Sequence, residues 1–407
     1  MKLLHTSDWH LGHRLCEKDR KEEHDQFLSW LIMLLNEEAI DLLIIAGDIF
    51  DTAYPPNFAL AQYYNFLRKI PDTCCKHTII IGGNHDSVST LNAPRELLKY
   101  FKIHVIGGAE EDINQEVIPI NDETGELKVV VCAIPFLRDR DIKNAVAGET
   151  YEAKERAIIK GIIKHYHAVK NQALEFMNNS NTTIPLIATG HLYAAGCTNS
   201  DSEKDIYIGN LGKITAESLP DEFNYLALGH LHRGQVVSGH EHIQYSGSPI
   251  PLSFSEAFTK KTVNIVEFNT NKSTHVTQRE IPLKRKLIGF KGTIEEIENR
   301  IKNYDYDNNL LTYWAEVVVE VEHYIPELHN NVMAFADGLP LEILKVRIDK
   351  QYIHKSLNEH IQHLNLDELN PEEVFLKKCQ SLIENYDLEI ALKAFHELQS
   401  LMQMNHE

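Results

Sequence analysis

Acidic residues and histidines cluster in five short motifs whose residue types and spacing suit metal binding. In each motif the polar residues follow directly on a short apolar run, which is typical of a buried strand that ends in a loop. Residues i and i+2 of an extended segment point to the same side, so the polar pairs of Asp-x-His and His-x-His can each converge on one centre. The motifs are Asp8-Trp9-His10, Gly47-Asp48-Ile49-Phe50-Asp51, Gly83-Asn84-His85-Asp86, Gly190-His191 and Gly229-His230-Leu231-His232.

The mixture of donors in these motifs favours two metal ions over one. About seven candidate ligands exceed the four that a tetrahedral zinc ion takes. They combine carboxylates, imidazoles and one amide, which is too much nitrogen for magnesium or calcium. Two ions of the manganese or iron type therefore fit the set better.

A single Gly-His or Asp-x-His means little in a chain with 22 histidines, most of which are expected at the surface or in caps. Five such motifs, each at a junction between a strand and a loop, are hard to obtain by chance. They indicate a dinuclear site. Among the remaining histidines, only His13 is close enough in sequence to the first ligand pair to be a candidate for touching a substrate.

The order of the five motifs resembles the calcineurin-like metallophosphoesterase superfamily, whose pattern runs D-x-H, G-D-x-x-D, G-N-H-[DE], G-H and G-H-x-H. The stretches 6–12, 47–52 and 246–254 narrow the resemblance to the SbcD family of bacterial nuclease subunits. The resemblance implies an α/β fold: a two-sheet metallophosphoesterase sandwich flanked by helices, with a small α+β capping domain and a helical C-terminal tail.

The same resemblance implies a role for each motif residue. His85 would lie near the scissile phosphate, where it donates a proton to the leaving oxygen or steadies the transition state. Asp51 and Asp86 would be outer acids, and Asp51 is expected to contact His85 and fix its tautomer. Asp48 would bridge the two ions. The implied ligands are Asp8, His10, Asp48 and His232 for one ion, and Asp48, Asn84, His191 and His230 for the other.

Composition limits the remaining possibilities. A chain of 407 residues exceeds one ordinary core, so two domains and an appendage are expected. Neither a signal peptide nor an apolar run long enough to span a bilayer is found, which predicts a cytoplasmic protein without a membrane partner. The six cysteines lack C-x-x-C spacing and are predicted to be free thiols. A net charge of −19 argues against a chain that grips nucleic acid by its overall field.

Periodicity predicts alternating strands and helices at first, then mostly strands. The predicted early strands are 3–7, 42–46 and 78–81, and the early helices are 19–38, 56–69 and 94–100. Beyond residue 117 we predict strands at 127–134, 184–189 and 225–228 and a long helix at 151–178. The runs 243–246, 262–268 and 275–281 are expected to continue as strands of a second sheet packed on the first.

The predicted domains are a nuclease domain at 1–283, a capping domain at 284–350 and a helical tail at 351–407. The cap should be a βαβαβ unit, preceded by a solvated basic linker, Lys284 to Lys286, whose alternative role is phosphate contact. An apolar stripe in the tail must bury itself on a partner or, alternatively, on the chain's own cap. By resemblance, the partner is the coiled-coil base of an SbcC-type ATPase. The stripe comprises Leu388, Leu392, Phe395, Leu398 and Met402.

The preferred function is that of a metal-dependent DNA nuclease, a double-strand exonuclease and hairpin-cleaving endonuclease. It would use two ions, with Mn²⁺ expected, and would work with an SbcC-type ATPase in DNA repair and recombination. The resemblance further implies a homodimer within a heterotetramer. One alternative is a stand-alone metallophosphoesterase for small phosphoesters or phosphoproteins. A degraded binding module is disfavoured because every expected ligand is present.

Overall fold

The structure is a computed structural model of the chain. It describes residues 1–122, 124–142, 150–178, 184–198, 200, 202–203, 214–268, 274–321 and 327–349, together with Phe375, Leu392 and Phe395. The strands are β1 Lys2–Thr6, β2 Arg14–Leu15, β3 Lys18–Asp19, β4 Leu42–Ala46, β5 His77–Ile81, β6 Ile103–Ile106, β7 Val117–Asn121, β8 Leu127–Cys132, β9 Leu186–His191, β10 Tyr225–Gly229, β11 Gln235–Val237, β12 His240–Tyr245, β13 Thr262–Phe268, β14 Thr274–Glu280, β15 Leu287–Gly292, β16 Tyr313–Val319 and β17 Leu341–Ile348. The helices are α1 Lys21–Glu37, α2 Asn57–Lys69, α3 Val88–Asn92, α4 Arg95–Tyr100, α5 Asp139–Ile142, α6 Tyr151–Asn178, α7 Ile294–Lys302 and α8 Leu328–Ala334.

Two six-stranded sheets pack face to face and form the predicted sandwich. Their strand orders are β14-β13-β1-β4-β5-β6 and β11-β12-β10-β9-β8-β7. Each sheet contains four adjacent parallel strands. In the first sheet, the antiparallel strands β13 and β14 extend these on one side, whereas in the second sheet an antiparallel strand, β11 or β7, lies at each edge. A buried apolar layer from both sheets fills the space between them, while α1 and α2 cover the first sheet and α6 covers the second. The expected α/β sandwich with flanking helices is therefore confirmed.

Strand β4 shows why the central strands are apolar throughout. Leu42, Ile44 and Ala46 point into the layer between the sheets, whereas Leu43 and Ile45 point toward the helices. Because alternate side chains of a strand face opposite sides, a strand covered on both faces reads as a continuous apolar run. Such a run fixes the strand in the middle of the sandwich, with its carboxyl end open to a loop.

The pairing of two late strands differs from the prediction. Strands β13 and β14 were expected in the second sheet, but β13 pairs antiparallel with β1 and so extends the first sheet. Only β12 of the three late strands joins the second sheet, beside β10. Local periodicity indicates that a segment is a strand but carries no information about its partner, since β1 and β13 lie about 260 residues apart.

The segment after the sandwich forms a three-stranded parallel sheet, β15-β16-β17, with α7 and α8 and its own apolar core. The prediction of a solvated linker before it is wrong for Arg285, which is buried. Its guanidinium lies 4.1 Å from the ring centroid of Trp314 on β16, and its Nε donates to Glu23 of α1 at 3.1 Å. Arg20 of the sandwich also pairs with Glu23. A buried ionic and aromatic contact therefore joins the small domain to the sandwich, and it leaves Arg285 no free face for phosphate.

The described elements otherwise agree closely with those predicted, including a strand from Val117 before the expected turn at 123–126. The exceptions are the missed strands β2, β3, β6 and β11 and short helices such as α3. Five cysteines are free, and Cys379 lies outside the described residues. None of the described helices combines the length and apolarity needed to traverse a bilayer. In the tail, Leu388, Leu398 and Met402 lie outside the described residues. Leu392 and Phe395 have helical backbone and are half-buried, and Phe395 stacks on Phe375 with ring centroids 4.5 Å apart.

Candidate metal centre

The polar motifs meet where the carboxyl ends of parallel strands from both sheets come together. Asp8, Asp48 and Asn84 follow β1, β4 and β5 of the first sheet, whereas His191 ends β9 and His230 follows β10 of the second. Parallel strands place their carboxyl ends at one edge, which is where open α/β sheets bind ligands. The site is thus built jointly by the two layers of the sandwich.

The backbone is strained at several of the expected ligands. Asp8, His10, Asp48 and His230 have φ angles of 53°, 47°, 50° and 104°, a region that side chains other than glycine rarely adopt. Such strain persists only where the surroundings enforce it, and it concentrates at functional sites. Here it turns each side chain sharply out of its strand toward the shared edge.

Two glycines allow the motif loops to approach one another. A Cβ atom on Gly83 would lie 2.2 Å from the Asp48 carboxylate, and one on Gly229 would lie 1.9 Å from the carbonyl of Ala46. Neither position has room for a side chain. The glycines of the G-N-H and G-H-x-H motifs are therefore needed for close contact between loops.

Asp8, His10 and His232 form the first group of potential ligands. All three are buried, and one ligand atom from each lies within 4.8 Å of the others. Nδ1 of His10 lies 3.3 Å from the carboxylate of Asp51, whereas Nε2 lacks a hydrogen-bond partner among the described residues. Leaving a buried polar atom unpaired costs about 1–3 kcal/mol. A cation at this position would remove that cost.

Asp48, His191 and His230 form the second group, and their ligand atoms likewise lie within 4.8 Å of one another. Nδ1 of His191 lies 3.0 Å from the carbonyl of Ala46, which leaves Nε2 to face the site. That nitrogen lies 2.9 Å from Oδ1 of Asn84 and 3.2 Å from Oδ2 of Asp48. Three electron-pair donors thus point at one another, an arrangement that requires either a proton or a cation between them.

Asp48 lies between the two groups. Its Oδ2 atom is 3.2 Å from Nε2 of His191 and 3.6 Å from Nε2 of His10. Its Oδ1 atom accepts a hydrogen bond of 2.9 Å from the backbone N–H of His85. The position agrees with the expected bridging role, since one carboxylate reaches both groups.

Burial controls the charge of the site when no cation is bound. It raises the pKa of Asp8 to about 8 and lowers the pKa of His10 to about 4. Burial opposes the ionisation of Asp48, but the neighbouring charge of His191 outweighs it and holds the pKa of Asp48 well below its usual range. In return, although burial acts against it, the carboxylate of Asp48 raises the pKa of His191 to about 9. Without a cation, the proton held by His191 beside Asp48 therefore occupies the place where a cation would fit.

These observations fit two divalent cations. The unpaired Nε2 of His10, the electron-pair donors that face one another around His191 and the shared carboxylate of Asp48 would all be stabilised by positive charge in this buried space. All seven expected ligands are brought to this edge of the sandwich. Nitrogen and oxygen donors in this proportion suit transition-metal ions better than magnesium or calcium.

His85 contacts Asp51 as expected, but through a different atom. Its Nδ1 lies 2.6 Å from the main-chain carbonyl of Asp51, not from the carboxylate. The carboxylate instead lies 3.0 Å from Nδ1 of His13 and 3.3 Å from Nδ1 of His10. The tautomer of His85 is thus fixed by a carbonyl, while the Asp51 side chain orients the ring of His10.

A third group of possible ligands, His10, Asp51 and His85, shares His10 with the first group. We favour the first group, because His10 turns Nδ1 toward Asp51 and Nε2 toward Asp48, so its metal-facing atom is directed away from Asp51. His85 is only partly buried and lies beside His10 with ring centroids 4.8 Å apart. His85 therefore lies at the edge of the candidate metal site and does not cover it.

Asp86 and His13 hold loops together. The carboxylate of Asp86 accepts hydrogen bonds from the backbone N–H groups of Ile49, Phe50 and Gly83, which ties two motifs together. His13 places Nε2 3.0 Å from the carbonyl of Leu252 and Nδ1 equally close to Asp51. Since both ring nitrogens of His13 are engaged, the suggested substrate contact is not supported.

Sequence reasoning missed Glu256 and Lys261, which are almost fully buried beside His232. The carboxylate of Glu256 lies 3.4 Å from Nδ1 of His232, and Nζ of Lys261 donates to the carbonyl of His232 at 2.9 Å. Neither residue belongs to one of the five motifs. The only signal was that they follow the stretch 246–254, which had already been singled out.

Comparison with known proteins places this geometry in a family. A profile described as calcineurin-like phosphoesterase matches residues 1–244, and one described as type 5 capsule protein repressor C-terminal domain matches residues 283–381. The chain is 35% identical over 378 residues to the SbcD subunit of the SbcCD nuclease of Escherichia coli (strain K12), covering 93% of this chain and 92% of the relative. Proteins of the same name from Bacillus subtilis (strain 168) and Rhodobacter capsulatus are 37% and 32% identical over 270 and 295 residues. These alignments cover 66% and 70% of each chain.

Proposed function

This chain belongs to the SbcD family of calcineurin-like phosphoesterases, and from that premise we propose that it is a metal-dependent DNA nuclease acting on duplex ends and hairpins. The observation that carries the proposal is the meeting of buried histidines and carboxylates at the carboxyl edge of both sheets. The relatives are named as nucleases, and the match to the Escherichia coli protein extends beyond the sandwich into the small domain. That extent counts against a stand-alone phosphatase, which would need only the sandwich.

We assign the ligands as the two groups suggest. Asp8, His10 and His232 would hold one ion, Asn84, His191 and His230 the other, and Asp48 both. We propose Mn²⁺ in both positions, because the donor set mixes nitrogen with anionic oxygen. Bound divalent ions supply Lewis-acid polarisation of the phosphoryl oxygens and an activated water at neutral pH.

The chain's own residues would contribute orientation and proton transfer. Nδ1 of His85 is committed to the carbonyl of Asp51, so Nε2 is the atom left to donate a proton to the leaving oxygen. Asp51 would act by orienting His10 rather than by touching the substrate. Asp86 would keep the loops of Asp48 and His85 at a fixed separation.

We also propose that a partner protein supplies the surface that attracts DNA, while this chain supplies the metal site. With a net charge of −19, the chain is poorly suited to attract duplex DNA by itself. An SbcC-type ATPase would supply the basic surface, and the apolar stripe of the tail, which includes Leu392 and Phe395, would bind the base of its coiled coil. We retain the boundaries 1–283, 284–350 and 351–407, a homodimer within a heterotetramer, and a cytoplasmic location as parts of the proposal.

The test uses labelled linear and hairpin DNA with Mn²⁺, with and without the ATPase and ATP. We expect metal-dependent cleavage of both substrates, stimulated by the partner, and no cleavage by the Asp48→Ala variant. Rapid hydrolysis of small phosphoesters without cleavage of either DNA under any condition would contradict the proposal and favour the stand-alone enzyme.

A further inference from the structure

We propose that Glu256 is a positioning residue for His232: acting through Ser202 and held in place by Lys261, it selects the tautomer of His232 that can bind a metal ion. The inference rests on the proposed metal assignment and deepens it. It concerns a buried network that lies just outside the five motifs.

The directions of the hydrogen bonds between His232, Ser202 and Glu256 fix the tautomer of His232. Nδ1 of His232 lies 2.7 Å from Oγ of Ser202, and the Ser202 hydroxyl also contacts the carboxylate of Glu256. An ionised carboxylate can only accept, so the hydroxyl must donate its proton to Glu256. Oγ then accepts from Nδ1–H of His232. The proton of the neutral ring is thereby placed on Nδ1, and the lone pair is left on Nε2.

Lys261 determines the charge of Glu256. Its carboxylate is almost fully buried and forms an ion pair with the equally buried ammonium group of Lys261. The ammonium group of Lys261 has three N–H donors, and it has three acceptors: Glu256, the carbonyl of His232 at 2.9 Å and Ser248 at 2.8 Å. Lys261 therefore keeps Glu256 ionised and also anchors the main chain of His232.

The backbone polar atoms of His232 are also held by hydrogen bonds. Its backbone N–H donates to Glu203 at 2.7 Å, and its carbonyl accepts from Lys261 and from the backbone N–H of Ser248 at 3.2 Å. Among the described residues, no such partner is found for Nε2, and His232 belongs to the group with Asp8 and His10. In His191, another proposed ligand, Nδ1 faces the main-chain carbonyl of Ala46, so Nε2 is likewise directed to the site. A main-chain carbonyl cannot be changed by substitution, whereas the side chains that orient His232 can.

The decisive variant is Glu256→Gln. Its amide has nearly the same shape but can donate to Ser202, which allows the serine hydroxyl to donate to Nδ1 and moves the ring proton to Nε2. We expect binding of one of the two Mn²⁺ ions to weaken by about 10–100-fold, the usual effect of removing an outer partner of a ligand. The other ion should bind as in the wild type. Metal content is measured by equilibrium dialysis and elemental analysis.

A spectroscopic measurement separates positioning from a general structural effect. In the metal-free protein labelled with ¹⁵N-histidine, His232 should be protonated at Nδ1 in the wild type and at Nε2 in Glu256→Gln. The double variant Glu256→Gln/Lys261→Met removes both charges of the buried Glu256–Lys261 pair. Neither charge is then left unpaired to destabilise the fold. If the pair served only charge balance, the double variant would bind both ions normally, whereas we expect it to bind one ion weakly.

Two controls complete the test. Glu280→Gln removes an exposed carboxylate paired with Lys260, and it should leave metal binding and the His232 signal unchanged. His232→Ala should lose one ion; if it retains both, the metal assignment itself is wrong. If His232→Ala loses an ion while the single and double Glu256 variants keep two ions at wild-type affinity, only the positioning role is overturned.

Discussion

Replacing His85 by alanine should slow DNA cleavage strongly without removing a metal ion. Nδ1 of His85 is engaged by the Asp51 carbonyl, so the side chain presents only Nε2 to a substrate. The contact of His85 with Asp48, the proposed bridging residue, is made by its backbone N–H, which alanine retains. The variant should therefore keep the geometry of Asp48 and lose only the proton donor.

The expected magnitude follows from the role of that proton donor. General acid catalysis contributes about 10²–10⁴-fold in rate, which corresponds to about 2.7–5.4 kcal/mol of activation free energy. The deoxyribose oxygen that leaves from DNA is strongly basic and needs the proton. A nitrophenolate leaves without one. The loss should accordingly be large for DNA and small for a bis(nitrophenyl) phosphodiester.

The assay compares both substrates in single-turnover experiments at saturating Mn²⁺, with elemental analysis of the same samples. His240→Ala is the matched control, because that imidazole pairs with Glu217 outside the motifs and should not matter for either substrate. Equal losses on DNA and on the nitrophenyl ester would refute proton donation. The loss of one ion per chain would place His85 among the ligands.

Four further outcomes are expected. Asp48→Ala should lower the occupancy of both ions, because its carboxylate lies within 3.6 Å of ligands in both groups; elemental analysis that finds two ions per chain would exclude the bridge. Trp314→Ala should lower the free energy of unfolding by about 3–5 kcal/mol, because the buried ring that packs against Arg285 is lost. An unchanged urea midpoint would show that this contact between the small domain and the sandwich does not stabilise the protein. Burial lowers the pKa of His5 to about 3, so the folded state is favoured by the neutral ring above pH 6.5 and this stability is lost as the pH falls. Between pH 6 and 4, the free energy of unfolding of the wild type, measured in urea, should fall by about 1.4 kcal/mol per pH unit more than that of His5→Gln. Equal slopes for the two proteins would contradict this. Truncation after Asn370 should spare metal-dependent hydrolysis of simple diesters but abolish co-purification with the ATPase, and unchanged binding would place the docking surface elsewhere.

The convergence of the motif side chains at one edge could be predicted from the sequence because the spacing within each motif is local. Asp8 and His10, or His230 and His232, are separated by one residue, so their convergence can be inferred from strand geometry alone. The apolar runs before them locate the strand ends. The fold around the site follows from the same alternation, as the two faces of β4 illustrate.

What the sequence did not predict depends on contacts between distant segments. The pairing of β13 with β1, the burial of Arg285 against Trp314 and the network of Glu256 are all long-range. Arg285, Glu256 and Lys261 are of types that are usually exposed, so their burial is not expected from the sequence. The partner of a strand such as β13 cannot be predicted from its own residues. The contact of Asp51 with His85 was expected between side chains, because a motif does not tell whether a carboxylate or a carbonyl faces a neighbour.

Asp48 is proposed to join two metal positions that both sheets of the sandwich build. Crystals grown with Mn²⁺ and measured at the manganese absorption edge would test it most directly. We predict two anomalous peaks, one beside Asp8, His10 and His232 and one beside Asn84, His191 and His230, with the carboxylate of Asp48 between them. A single peak, or a peak bound by Asp51 and His85, would contradict the assignment.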